Sequence, residues 1–139
     1  MVSPSDADGW AAYHRIRRTI LFENRGLFGV YDPNRPEERE PGKYPKLLAF
    51  NSHYVGVVRI DLAGDVAYLR RVAIDEPWQR QGLGRRLIAL AESFAVEHGA
   101  SRIESSVAAD AVGFYRRCGY SELPLKSERT SVPMCKNLT

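Results

Sequence analysis

The sequence predicts an α/β (α+β) domain whose mixed, mostly antiparallel sheet holds one central parallel strand pair and is flanked by about four helices. Three observations predict it. Extended runs at residues 46–50, 54–62 and 66–74 succeed one another across short turns, which makes an antiparallel meander. The third run passes through a loop with two glycines into a helical run, residues 83–98, and that helix leads to a further extended run, 102–107. Strand, helix, strand places the two strands parallel, joined by a right-handed crossover.

Each element has a local reason. Ser5, Asp6 and Asp8 offer N-caps for a first helix. Trp10, Tyr13, Ile16, Ile20 and Leu21 recur at helical steps and form one buried face to about Phe22, with Arg15, Arg17 and Arg18 mostly off it. Residues 32–42 are polar with three prolines and read as a loop on the substrate side or at the surface. Asn51, Ser52 and His53 form a hairpin turn, and residues 62–65 form a second. Leu83, Leu87, Leu90, Ala91, Phe94 and Ala95 mark the buried face of the long helix, and Gly99 ends it. A short helix over 110–117 closes at Gly119, a strand begins at Tyr120, and residues 132–138 form a last strand able to pair across a dimer.

Composition bounds the class. The 139 residues suffice for a single domain spanning 1–139 with its own core. A net charge of +3, without a basic block or basic-aromatic interleaving, gives no support for nucleic-acid binding. Cys118 and Cys135 make neither a disulfide framework nor a metal site. The sequence shows no signal-peptide pattern and no membrane-length apolar run, so a cytoplasmic protein, a monomer or homodimer with no membrane partner, is expected.

The chemistry concentrates between residues 79 and 87, where Gln79, Arg80, Gln81, Gly82, Leu83, Gly84, Arg85, Arg86 and Leu87 join strand to helix. The first turn of a helix leaves backbone N–H groups open, and its dipole adds partial positive charge. Gly82 and Gly84 lack Cβ atoms, so a phosphate can approach the backbone, and Arg80, Arg85 and Arg86 add charge. The loop lacks the Lys-Ser/Thr of a P-loop and the third glycine of a dinucleotide fingerprint.

Residues 71–87 (RVAIDEPWQRQGLGRRL) resemble the acetyl-CoA-binding segment of the GNAT superfamily of N-acetyltransferases, with its Gln/Arg-x-x-Gly-x-Gly/Ala signature. Residues 111–120 (AVGFYRRCGY) resemble the family's downstream motif, and the resemblance covers about residues 46–120. It implies that the strand over Val72, Ala73 and Ile74 splays from its parallel neighbour and binds the pantetheine arm through its backbone. It further implies that Gln79, Arg80, Gln81, Gly82, Leu83, Gly84 and Arg85 cradle the pyrophosphate of acetyl-CoA (CoA). The reaction implied is acetyl transfer from acetyl-CoA to a primary amine of a small molecule or peptide by direct attack.

Such a transfer needs a neutral amine, a donor for the oxyanion, and a proton for the departing thiolate. The resemblance points to a backbone N–H such as that of Val72 for the oxyanion and to Tyr115 as the acid. By pattern alone, Tyr115 reads more readily as a core aromatic beside Phe114. Two positions depart from the family pattern. Tyr68 stands where some members carry a base glutamate, leaving Glu23, Asp61, Glu104, His53 or ordered water to deprotonate the amine. Ala108 stands where members often carry Asn, and Asp110 or Ser106 is the available polar replacement. A catalytically inactive acyl-CoA-binding module and a protein Lys or N-terminal acetyltransferase are the competing readings. On the acceptor side, Glu37, Glu38 and Glu40 in the proline-rich loop are either a lure for a cationic amine or a solvated surface. Trp10, Tyr13, Phe22, Phe28 and Tyr31 are available to shape an acceptor pocket, Trp10 and Tyr13 reading more readily as core.

Overall fold

The computed structural model describes residues 1–25, 29, 31–33, 40–124 and 131–138. Phe28, Glu37 and Glu38 lie outside these. Asp6 starts helix α1 (Ala7–Ile16): its carboxylate accepts the Gly9 N–H at 2.8 Å, satisfying one open donor of the first turn. From Arg17 the hydrogen bonding widens into a π-helix, Arg17–Phe22. Each residue of a π turn rotates less than in an α turn, so the face drifts round the axis. Arg17, expected mostly off the buried face, lies on it: it stands one α turn after Tyr13, is 5% exposed, and its guanidinium donates to the Tyr13 hydroxyl at 3.0 Å. Tyr13 and Ile16 are fully buried, and Trp10, Ile20 and Leu21 pack against that cluster half-buried.

The sheet has six strands among the described residues: β1 (Lys43–Phe50), β2 (His53–Ala63), β3 (Val66–Ile74), β4 (Arg102–Ala108), β5 (Ser121–Glu122) and β6 (Ser131–Asn137). Their spatial order is β1-β2-β3-β4-β6-β5, and only β3 and β4 run parallel. Asn51 and Ser52, both at positive φ (49° and 64°), make the tight β1–β2 turn, a conformation whose twist matches that of the flanking strands. Among the described residues three α-helices flank the sheet: α1, α2 (Leu83–Glu97) and the short α3 (Val112–Arg117). Helix α1 covers Leu47, Val57 and Ala73 on one face. Helix α2 buries Leu87, Ile88, Ala91 and Ala95 against Val58, Ile60, Ala67, Leu69 and Ile103 on the other.

Two irregularities place the site. Between β2 and β3 the register moves from Val57↔Ala73 to Arg59↔Arg70, so β3 carries one extra residue. Arg71 sits in that bulge at φ +59°, a left-handed conformation uncommon for a non-glycine residue. The bulge exchanges the faces of β3: Ala67 and Leu69 join the α2 core, whereas Ala73 joins the α1 core. Meanwhile β3 pairs with β4 only from Val66↔Arg102 to Leu69↔Ser105. Beyond that point β3 continues along β2, β4 continues along β6 to Ala108↔Ser131, and the two parallel strands part.

A part-buried polar cluster ties α2 to Tyr120 and β6. Glu92 of α2 accepts from the Tyr120 hydroxyl at 2.8 Å and from the Lys136 ammonium at 3.0 Å, and Lys136 also donates to the Cys118 carbonyl at 2.9 Å. Burial and the Glu92 charge push the Tyr120 phenol well above its usual range, so it stays a donor. Glu92→Ala leaves two donors in a half-buried site, and a stability loss of about 1–3 kcal/mol in chemical denaturation is expected. Glu92→Gln, which keeps an acceptor, is expected to lose less.

Candidate active site

Ser105 stands at the apex where the parallel strands part, its hydroxyl donating to the Leu69 carbonyl at 3.3 Å. Past it, the β4-facing edge of β3 has no strand partner among the described residues, and backbone groups on such an edge require partners from elsewhere. Two cavities open along it. The first, about 660 Å³, is lined by Val72, Ala73 and Ile74 of β3, by Gln79, Arg80, Gly82, Leu83, Gly84 and Arg85, and by Phe114 and Tyr115 of α3. The second, about 540 Å³, lies between Arg71 and Val72 on one side and residues 105–111 with Ser131 on the other. Leu21, Val72, Asp110, Ala111 and Tyr115 line both, so the two cavities meet at Tyr115.

The glycine loop forms one end of the larger cavity. Gly82 is the N-cap of α2 at φ +79° and has no side-chain cap, so the first-turn N–H groups keep their unsatisfied donors and the helix dipole acts there. A Cβ on Gly82 would meet nothing within 4 Å, so its backbone faces open space. Gly84 also lines the cavity, and its missing Cβ has a packing reason as well. A Cβ there would come within 3.3 Å of Phe114 Cζ and 3.7 Å of Ile74 Cγ1, so this glycine lets α2 pack on α3 and β3. The Gln79 side chain donates to the Ile74 carbonyl at 2.9 Å and ties the loop to the end of β3. Asp75 caps the intervening 3-10 turn, accepting from the Glu76 N–H, and pairs with Arg15 of α1 at 3.0 Å. Of the ten residues expected around the cofactor, nine line the larger cavity; Gln81 is exposed and does not.

Tyr115 is 7% exposed and stacks edge-on with Phe114 and Tyr120. Burial raises its pKa to about 12, with a Ser105 hydrogen bond pulling the other way. The phenol is therefore protonated at neutral pH. The carboxylates considered as bases stand elsewhere. Asp61 is held by Arg59 in a two-point pair (2.8 and 3.0 Å) with Arg70 at 3.6 Å, and Glu104 lies 3.5 Å from Arg102. Neither these nor Glu23 lines either cavity, and Glu40 pairs with Lys43 at 3.1 Å. Tyr68, in the register of both Asp61 and Glu104, does not line them either. His53 is exposed and sits against Trp78 with ring centres 5.3 Å apart. Tyr13 is core and Trp10 half-buried beside it; Phe22 and Tyr31 meet edge-on, 5.2 Å apart.

Several lining residues escaped the sequence reading. Leu21 and Ile20 reach the larger cavity from the π-helix, and Trp78, Ala111 and Arg117 complete it. Hydrophobic spacing signals only that Ile20 and Leu21 are buried; the cleft they border is made by distant strands. Asp110 is the carboxylate common to both cavities, and the sequence marked it only as a replacement for Ala108. Among the described residues no cluster of His, Cys, Asp or Glu is arranged to hold a metal, and no helix is long and apolar enough to cross a membrane.

Residues 10–120 match the model of the acetyltransferase (GNAT) family. The Bacillus subtilis protein YyaT, itself uncharacterised, is 32% identical over 106 residues, which cover 76% of this chain and 72% of YyaT. A Lactobacillus plantarum protein assigned as an N-acetyltransferase superposes with a TM-score of 0.80 at 25% identity, over 100% of this chain and 97% of its own. An aminoglycoside 6′-N-acetyltransferase complexed with coenzyme A has the same fold, with a TM-score of 0.79 at 14% identity over 100% and 97% of the two chains. Members of the family bind acyl-CoA and are acyltransferases acting on amines. With its parted strands, its glycine loop at a helix N-terminus and this match, the chain belongs to the GNAT acetyltransferase family.

Proposed function

We propose that residues 1–139 act as one domain, an N-acetyltransferase that moves the acetyl group of acetyl-CoA to a primary amine of a small molecule or peptide, with Tyr115 as general acid. The observation that carries this reading is the unpartnered edge of β3, which runs between the glycine loop and Tyr115 along the larger cavity. An extended arm of alternating amide donors and acceptors satisfies such an edge as an added strand would. Val72, Ala73 and Ile74 hold that arm. Gln79, Arg80, Gly82, Leu83, Gly84 and Arg85 form the cradle for the phosphates, through the open first-turn N–H groups of α2 and two guanidiniums. Gln81 borders the cradle from the solvent side. Acetyl-CoA, when bound, supplies a thioester carbonyl to the attacking amine and leaves a thiolate.

The chain's own groups do the rest. A backbone N–H of the β3 edge such as that of Val72 stabilises negative charge on the carbonyl oxygen, a fixed dipole that needs no reorganisation. Tyr115, held protonated by burial at the meeting point of the cavities, delivers the proton to sulfur. No strand carboxylate among the candidate bases reaches the cavities, which favours deprotonation of the amine through water over a direct base.

The pH dependence has a definite sign. An amine acceptor with a pKa of about 10.4 becomes more reactive as pH rises, and Tyr115 remains protonated up to about 12. The rate over pH 6–10 is therefore expected to rise without a falling limb. The folded-state pKa exceeds the unfolded value of about 10, so Tyr115 stabilises the fold below pH ~10 and loses that contribution as pH climbs toward the folded pKa. Profiles belong below that limit. A falling limb with a midpoint near 8 would remove Tyr115 as the acid. Calorimetric titration with acetyl-CoA, followed by transfer assays over a panel of amines and lysine peptides, tests the function. Transfer to small amines supports the proposal, tight binding with no turnover on any amine supports a binding module, and transfer confined to protein substrates supports a protein acetyltransferase.

A further inference from the structure

One residue breaks the pattern of the strand that borders the smaller cavity. Along β4 the side chains of Ile103, Ser105 and Val107 alternate inward and are all buried, yet the middle one is a hydroxyl. Among the described residues Arg17, Arg59 and Ser105 are the buried polar ones, and of these three Ser105 is the one that lines either cavity. An apolar side chain at such a position is stabilising, whereas a hydroxyl is destabilising unless it is hydrogen-bonded. Ser105 has two partners at the point where β3 and β4 part. Its hydroxyl donates to the Leu69 carbonyl at 3.3 Å, and it hydrogen-bonds the Tyr115 phenol. The first bond is long for a hydroxyl donor, whose usual range ends at about 3.0 Å, so it yields readily to a stronger acceptor. A serine hydroxyl carries one proton and two lone pairs, so it donates to one partner at a time and accepts from the other.

Resting on the reading of Tyr115 as general acid, we propose that Ser105 is its positioning residue, a two-way hydroxyl that fixes the phenol before proton transfer and turns its own O–H from the Leu69 carbonyl to the phenolate afterwards. On that reading the cofactor arm takes the larger cavity and the acceptor meets it from the smaller. As the C–S bond breaks, the Tyr115 O–H bond breaks and an S–H bond forms. A phenolate is left in a buried site, where an anion without a donor is strongly disfavoured. A hydrogen bond from Ser105 to that anion is shorter than one between neutral groups and about twice as strong. The proton shed by the attacking nitrogen, relayed by water, then restores the phenol, and Ser105 turns back to Leu69. One proton leaves nitrogen and one reaches sulfur, so the step balances. Ser105 acts through Tyr115 and takes no part in bond making.

Ser105→Thr and Ser105→Val have the same shape and differ in the hydroxyl, which makes them the test pair on the full chain. Thiol release from acetyl-CoA is followed with the cofactor saturating and the fastest amine of the panel as acceptor. Ser105→Thr is expected to exceed Ser105→Val in kcat by about tenfold or more, the scale for losing a hydrogen bond to a charged group. The KM for the amine and the acetyl-CoA affinity are expected to agree between the two. In the Tyr115→Phe background no phenolate forms, and the kcat gap is expected to shrink below about twofold, as a double-mutant cycle requires of coupled groups. A hydroxyl that only shores up the strands would give a gap that Tyr115→Phe leaves in place. If the branched side chains do not fold at this buried site, Ser105→Ala replaces them, with the same kcat deficit expected against wild type and the same collapse in the Tyr115→Phe background. Equal kcat in the test pair, or a gap that survives Tyr115→Phe, overturns the inference and leaves Tyr115 as the acid. Wild-type turnover in Tyr115→Phe itself, or no turnover of the wild type on any amine, overturns both.

Discussion

Tyr115→Phe is expected to lower kcat by about 10²-fold, the usual scale for removing one general acid, with acetyl-CoA affinity nearly unchanged. The side chain lines both cavities, the proposed seats of the cofactor arm and of the acceptor. Its hydroxyl is kept protonated by burial. The ring's packing role survives the substitution, because Phe keeps the edge-on contacts with Phe114 and Tyr120. A purely structural tyrosine would give the converse result: wild-type turnover with a lowered melting temperature. The discriminating measurement is kcat against acetyl-CoA affinity in one preparation, alongside thermal unfolding.

Gly56→Ala is expected to destabilise the protein by about 1–3 kcal/mol, the cost typical of overpacking a filled site. Gly56 pairs with Ile74 across the β2–β3 ladder. A Cβ there would fall 2.7 Å from Ile74 Cδ1 and 3.1 Å from the Ala73 carbonyl oxygen, with Leu87 Cδ2 at 3.4 Å. The isoleucine tip can swing away, but the carbonyl belongs to the backbone, so the end of β3 has to move. That end is the proposed seat of the cofactor arm. Acetyl-CoA binding is therefore expected to weaken more in Gly56→Ala than in Glu92→Ala at a comparable loss of stability, since Glu92 lines neither cavity. Equal CoA affinities in the two variants would show that the position of Ala73 and Ile74 is unimportant to the cofactor.

Much of the fold was legible because it is written in local chemistry. The extended run of residues 66–74, the helical spacing from Leu83 and Gly99 past the helix end locate β3, α2 and their limits to within a residue or two. Asn51 and Ser52 supply the turn their types favour. The glycine loop was legible as a helix N-terminus bearing arginines, which is a statement about consecutive residues. The π-helix was not, since one widened turn leaves a hydrophobic stripe almost unchanged. The packing role of Gly84 was not legible for a related reason: a missing Cβ marks a close approach, and only the position of Phe114 shows that protein approaches there.

The sequence by itself determined the elements, their order, the family resemblance, and the residues at the head of α2, because each depends on neighbours along the chain. The tertiary structure decided where the site opens and what faces it. The bulge at Arg71 depends on β2 and β3 being one residue out of step, and the parting of β3 from β4 depends on each strand finding another partner. Strict alternation along β3 would set Ala73 on the face of Leu69; the extra residue sends it to the opposite layer. Asp61 and Glu104 were plausible bases by register, yet arginines hold them outside the cavities. Pairing register and ion-pair choice join residues far apart in sequence, and their outcome depends on the assembled sheet.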